Sequence, residues 1–291
     1  FNNLEKLGGK TEVFFGSKIP FVNLRMNYRN HRKIMVVDAK VAYLGGFNIG
    51  DEYLGKGELG EWRDTHMKIE GNAVLTLQSR FFMDWNAVAK EKNRKDYAEA
   101  YFPIADKKGN TAMQIVTSGP DDEDQTIKMG FLKMISQAKE SIYIQTPYFI
   151  PDESLHEMLK IAVLSGVKVK IMIPSKPDHP FVYRATEYFA KDIVEYGAEV
   201  YMYQNGFLHS KVMVVDDEIV SVGTANMDVR SFKLNFEINA FIYDRDVAEE
   251  LIANFDEDQK NCIRATHDYF AKQSKWRKFK QAFSRLLSPI L

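Results

Sequence analysis

Histidine and lysine stand two residues apart at two places in this chain: His31 with Lys33, and His209 with Lys211. Each pair runs into apolar residues that end in an aspartate, Asp38 or Asp216. Each is then followed by a glycine and an asparagine, Gly45 and Asn48 or Gly223 and Asn226. The offset is a constant 178, and eight of the eighteen aligned positions from 31 to 48 are identical. The polar residues repeat along with the apolar ones, which marks an internal repeat and not merely a shared strand pattern. An imidazole can attack an electrophile or pass a proton, and an ammonium group can hold an anion. On a strand the two side chains share a face about 7 Å apart, which suits two groups converging on one phosphate. One copy alone would read as a half-buried strand with a wet polar face. Two copies with matched glycine and asparagine read as a two-sided phosphate site. In that site Asn48 and Asn226 project toward the ligand, although Asn48 alone would read as a turn cap, and Gly45 allows the backbone to approach closely. Asp38 and Asp216 complete the repeated set. Strand parity puts them on the opposite face, where they are expected to fix the turn and the strand.

An imidazole in either role needs its second nitrogen held by an acceptor. Asp64 follows His31 by 33 residues and Glu237 follows His209 by 28, each on the strand after its own motif loop. These are the candidate orienting carboxylates.

The elements that must position these residues alternate between strand and helix. Before the first motif the pattern predicts a helix tail over residues 1–8, a strand from Thr11 to Phe15 and a loop over 16–28. After it come a glycine- and acid-rich loop over 51–62, a strand over 62–69 and an amphipathic helix over 72–94. The polar stretch 95–110 reads as a boundary. Strands over 113–117, 141–146 and 167–173 then alternate with helices over 121–139, 152–165 and 180–196. The second motif follows, then a loop at 227–231, a strand over 234–243 and a helix over 245–261. The alternation is α/β. We expect two similar lobes related by pseudo-twofold symmetry, each a mixed sheet flanked by helices: residues 1–110, then 111–273, with 274–291 as a basic amphipathic tail. Ninety-five residues separate Gln114 from His209, but only 30 precede His31, so about 65 residues of the first lobe are expected upstream.

H-x-K-x-x-x-x-D followed by G-x-x-N, present twice, resembles the phospholipase D superfamily over nearly the whole chain. Within it, the segments from Gln145 to Asp152 and from Ile173 to Pro180 are similar to bacterial cardiolipin synthases. The resemblance implies one imidazole attacking phosphorus to form a phosphohistidine, and the other protonating the leaving glycerol oxygen and then deprotonating an acceptor alcohol. The family usually gives the nucleophile to the first motif, which makes His31 the nucleophile and His209 the acid and base; the symmetry of this sequence does not decide it. Lys33, Lys211, Asn48 and Asn226 would hold the non-bridging oxygens, with no metal and no other cofactor. The implied substrate is phosphatidylglycerol and the implied products are cardiolipin and glycerol. The implied place is the cytoplasmic side of the cell membrane, with transmembrane segments upstream. A hydrolase or another phosphatidyl transferase would use the same residues. A nuclease and an inactive membrane-binding module are further alternatives.

Composition narrows these. The net charge of −1 gives no general drive toward nucleic acid. The single cysteine, Cys262, forms no intrachain disulfide, and no apolar run reaches the length of a membrane span. The acidic run Asp121–Asp124 reads as a helix start more than a metal site. The tail Lys275–Leu287 places Trp276, Phe279, Phe283, Leu286 and Leu287 on one face with five cations around them. It resembles an interfacial helix on an anionic membrane surface; docking onto the protein's own core is the alternative. Oligomeric state is not legible.

Overall fold

The computed structural model describes residues 1–15, 27–104 and 108–288; the loop expected over 16–28 lies mostly outside these. The chain opens with α1 (Asn2–Lys6). The stretch Thr11–Phe15, expected to be a strand, is irregular and ends in a turn. The first motif forms a hairpin of β1 (Ile34–Val37) and β2 (Val41–Gly45). Asp38 and Ala39 at its tip have φ of 53° and 54°, a left-handed pair in the three-residue connection closed by the N–H of Lys40 on Val37 O. The second motif repeats this, with Asp216 and Asp217 at 52° and 54°. The strand expected over 62–69 is broken into β3 (Trp62–Arg63) and β4 (His66–Glu70). β1, β2 and β4 make a three-stranded antiparallel sheet in that order, so the mixed sheet expected of each lobe is not seen among the described strands here. α2 (Ala73–Val88) lies on it.

The second half builds a large mixed sheet. Along the chain come β5 (Ala112–Ser118), α3 (Thr126–Gln137), β6 (Ser141–Gln145), β7 (Phe149–Ile150), α4 (Glu153–Leu164), β8 (Lys168–Pro174), α5 (Pro180–Tyr196), β9 (Glu199–Tyr203) and β10 (Phe207–Leu208). The motif hairpin is β11 (Val212–Val215) and β12 (Ile219–Gly223), followed by β13 (Met227–Asp228), α6 (Val229–Lys233), β14 (Glu237–Tyr243), α7 (Arg245–Gln259), β15 (Cys262–Arg264), α8 (His267–Ala271) and α9 (Lys275–Leu286). Eight strands pair in the order β15-β9-β8-β6-β11-β12-β14-β5. β8 is parallel to both neighbours, as its apolar run requires. Asp152 caps α4 by accepting the N–H of Leu155. The acidic run before α3 makes a turn and not the first helical residues: Asp122 accepts the N–H of Thr126. The loop expected at 227–231 is instead β13 and a short helix, whose start Asp228 caps through Ser231 N–H at 2.6 Å.

Two cores result. One lies between the large sheet and α3, α4 and α5, and contains Met213 and Val215. The other joins the two sheets: Ala42, Leu44 and Ile69 from one meet Val212, Val214, Val220 and Ile238 from the other, with Ile34 and Val36 packed against them. Strand parity thus sends alternate residues of the second motif to different cores, whereas in the first motif Ile34 and Val36 turn inward and Met35 and Val37 are exposed. Because apolar burial is worth roughly 25 cal/mol per Å², the inter-sheet core fixes how the two motifs face each other.

Candidate active site

The two motifs meet where the sheets abut. The N–H of His31 bonds to Phe236 O at 2.9 Å, and the N–H of His209 bonds to Arg63 O at 2.7 Å. Each histidine is therefore laid beside the strand that carries the other half's carboxylate. Nδ1 of His31 lies 2.9 Å from Oε1 and from Oε2 of Glu237, and Nδ1 of His209 lies 2.7 Å from Oδ2 of Asp64. The pairing expected within each half is exchanged between halves. The reason is steric: the residue that precedes each carboxylate is the one paired to the opposite histidine's backbone, so the carboxylate follows it across.

Both carboxylates are ionised. Burial would raise Glu237, but the charge of His31 and its hydrogen bond, with Lys33 and Thr224, outweigh that and lower it. Burial would likewise raise Asp64, but the hydrogen bond from His209 and the charge of Lys211 leave it below the usual carboxylate range. A carboxylate only accepts, so each imidazole turns its Nδ1 N–H to the carboxylate, which leaves Nε2 as the nitrogen for chemistry. Burial, reinforced by Lys211 and opposed by Asp64, pulls His209 down to about 3, so its imidazole is neutral near pH 7.

The lysines form one cluster with these groups. Burial, opposed by Glu237 and reinforced by Lys211, takes Lys33 down to about 7. Burial, opposed by Asp64, Glu237, Asp228 and Asp178, takes Lys211 down to about 8. Each lysine thus feels both orienting carboxylates. Lys33 also bonds to His31 O at 2.8 Å, matched by Lys211 on His209 O. A half-buried and a buried ammonium group that act on each other call for an anion between them. Both values are depressed cation values, so both groups are charged below pH 7 and neutral above 8. Sulfate, a dianion throughout, should therefore bind tightest below pH 7 and lose up to about tenfold in affinity per pH unit for each lysine that titrates. Calorimetry from pH 6 to 9 checks this; a flat profile would remove the lysines from the anion site.

The remaining predicted residues divide. Asn226 is buried, its Nδ2 donates to Asp228 at 3.2 Å, and its Oδ1 has no partner among the described residues. Asn48 lines a groove of about 610 Å³ beside Lys33. The apolar walls of that groove include Met35, Phe47 and Ile49, whose counterparts in the repeat, Met213, Ala225 and Met227, lie in the core under α3 and α4. Asp216, counted with the repeated site residues, is not brought to the site. It sits past the far end of β11 and takes the N–H groups of Lys139, Glu140 and Ser141 at 2.7, 2.8 and 2.9 Å, which ties the hairpin turn to the connection before β6. Asp38 holds the equivalent turn position in the first copy.

Several site residues carried no motif. The loop 51–62 is held down: a 3₁₀ turn over Asp51–Leu54 places Tyr53 Oη 3.1 Å from Asp64 Oδ2 and 2.7 Å from His209 Nδ1. Trp62 lies 5.0 Å, ring to ring, from His209. On the other side Thr224 Oγ1 donates to Glu237 at 2.5 Å and Asn235 Nδ2 at 3.1 Å. Thr224 is the repeat counterpart of Gly46, where a Cβ would stand 2.2 Å from Asp64 Oδ1. The first half thus has no room for a side chain there, and Tyr53 supplies the hydroxyl instead. The alignment of Gly46 with Thr224 was a usable signal; nothing in sequence pointed to Tyr53. Below the carboxylates, Asp258 accepts from Arg63 at 2.9 Å and from Gln145 at 2.8 Å, tying the halves together.

Two His–Lys pairs with cross-held imidazoles and lysines whose charges act on each other are the arrangement expected of a phospholipase D-type site. Residues 131–259 match the family described as cardiolipin synthase, phospholipase D-like domain. Over its whole length the chain is 56% identical to a cardiolipin synthase of Listeria welshimeri and 55% identical to the major cardiolipin synthase ClsA of Bacillus subtilis, and covers 60% of each. The fold is similar to the crystal structure of phosphatidylserine synthase from Haemophilus influenzae, with a TM-score of 0.67 at 17% identity, covering 90% of this chain and 71% of that one. The chain is thus similar to cardiolipin synthases of the phospholipase D superfamily. It spans about three fifths of the length of those curated relatives. Among the described residues no helix is long and apolar enough to cross a membrane.

Proposed function

We propose that the protein transfers a phosphatidyl group from one phosphatidylglycerol to another at the cytoplasmic face of the cell membrane, with an anionic membrane surface as its partner and no nucleic acid. The observation that carries this reading is the pair of imidazoles, each held at Nδ1 by a carboxylate from the other half, in a cluster with the half-buried Lys33 and the buried Lys211. Nε2 of His31 attacks the phosphorus of the first lipid. The P–O bond to its glycerol headgroup breaks, and the departing oxygen takes a proton from His209. The terminal hydroxyl of the second lipid then attacks the phosphohistidine. His209 accepts its proton as the P–N bond breaks, releasing cardiolipin. Lys33, Lys211, Asn48 and Asn226 hold the non-bridging oxygens. His209 is neutral without substrate, so its proton is taken up together with the phosphodiester, whose charge favours the imidazolium. That same neutrality favours a second reading with the roles exchanged and His209 as nucleophile.

The lipid acceptor is supported by the 55–56% identity to proteins named cardiolipin synthase. Incubating the intact protein with phosphatidylglycerol vesicles should give cardiolipin and glycerol in equal amounts by mass spectrometry. Phosphatidic acid alone would make it a hydrolase. DNA cleavage without lipid turnover would make it a nuclease, and no turnover of either an inactive module.

A further inference from the structure

α9 sits on the protein the wrong way round. A surface helix of a water-soluble protein turns its apolar stripe inward. Here the inward face is polar: Gln281 and Ser284 are buried, and Arg277 and Gln281 both reach the buried carboxylate of Glu187 on α5. Gln273, just before the helix, donates to Glu187 at 3.3 Å and accepts from Gln281 at 2.8 Å. This clasp leaves the apolar stripe facing out. Trp276, Phe279, Phe283 and Leu286 are 64%, 60%, 48% and 71% exposed, and the Trp276 and Phe279 rings stack against each other at 5.5 Å without other cover. Phe181 on α5 is also exposed, with the guanidinium of Arg184 over its ring. A patch of this kind marks an interaction surface.

Charge selects the occupant. α9 carries Lys275, Arg277, Lys278, Lys280 and Arg285 and no acidic residue, whereas the rest of the chain holds 34 basic against 40 acidic residues. A second copy docked symmetrically would press two such cationic helices together. A bilayer with anionic headgroups offers apolar depth for the aromatics and phosphates for the flanking cations. We propose that this face of α9, fixed by Glu187, lies in the interface of an anionic phospholipid bilayer and sets the catalytic cleft at headgroup level. The crevice of about 410 Å³ between α5 and α9 links the two places: Trp276 and Arg277 share it with Ser175 and Pro177. The same loop carries Asp178, which accepts from Tyr148 Oη and whose charge acts on Lys211.

The choice of lipid rests on the transferase reading, but the test does not. Trp276 emission of the intact protein, isolated by difference from a Trp276→Phe variant, is measured with vesicles of phosphatidylcholine alone and of equal phosphatidylcholine and phosphatidylglycerol. We expect a blue shift and quenching by brominated acyl chains with the anionic vesicles only, weakened at high salt. Phe279→Glu with Phe283→Glu, both exposed and outside the clasp, should lower that quenching-detected binding by more than about tenfold while leaving melting temperature and turnover of detergent-dispersed phosphatidylglycerol unchanged. Unchanged emission on either vesicle, or an oligomer that the double variant dissolves, would overturn the proposal. Loss of dispersed-substrate turnover in the wild type with vesicle docking intact would instead count against the transferase.

Discussion

His31→Ala should abolish both turnover and the covalent phosphoprotein, and His209→Ala should let the phosphoprotein accumulate when the substrate carries an easy leaving group. The loss in turnover for the first is on the order of 10⁴-fold or more, as for removal of a nucleophile elsewhere. The expectation follows from asymmetry of role within a near-symmetric frame. Both rings present Nε2 and both are held at Nδ1, so geometry alone would let either attack. His209 is the more buried, 8% exposed at its side chain against 27% for His31, and is held neutral by that burial. Acid-quenched labelling with a lipid bearing radioactive phosphate separates the cases. Label retained on His209→Ala and absent from His31→Ala supports the order given above; the opposite pattern makes His209 the nucleophile.

Glu237→Gln should lower turnover by about 10³- to 10⁴-fold, and Asp64→Asn by a similar factor, with the fold intact. An amide keeps the shape but offers an N–H where the carboxylate accepted. The imidazole is then free to carry its proton on Nε2, the nitrogen that must attack or accept. Glu237 is fully buried and takes hydrogen bonds from Thr224 and Asn235 as well as His31. Its carboxyl is lowered in the folded protein, so it contributes stability above its unfolded pKa that is lost as pH falls through the folded value. Replacement by glutamine removes that acid-side dependence. A variant with wild-type melting temperature at pH 7, reduced turnover and a flatter stability profile below pH 5 would show orientation lost without unfolding. Unreduced turnover would mean that the carboxylate does not set the tautomer.

The spacing of His31 with Lys33 and of His209 with Lys211 is a local property, and strand parity and hairpin turns act over a few residues. Those features were legible directly: the two hairpins, the apolar strand over 167–173, the helix over 152–165 and the placement of Asp216 on the opposite face. The stretch Thr11–Phe15 looked like a strand because alternation is local, but a strand is decided by what the rest of the fold sets beside it. Tyr53 and Trp62 were hidden because a glycine- and acid-rich segment has no period to read, and its shape is set by what it lands on. The exchange of Asp64 and Glu237 between the histidines lay beyond any reading of one copy. It follows from the inter-sheet core, which brings Arg63 beside His209 and Phe236 beside His31. Likewise the amphipathic pattern of Lys275–Leu286 fixed that two faces differ, but the buried carboxylate of Glu187, more than eighty residues away in sequence, decided which one turns inward. The residues and their spacing determine what chemistry is available; long-range packing, which costs chain entropy and is driven by apolar burial between segments far apart in sequence, decides which groups act on one another.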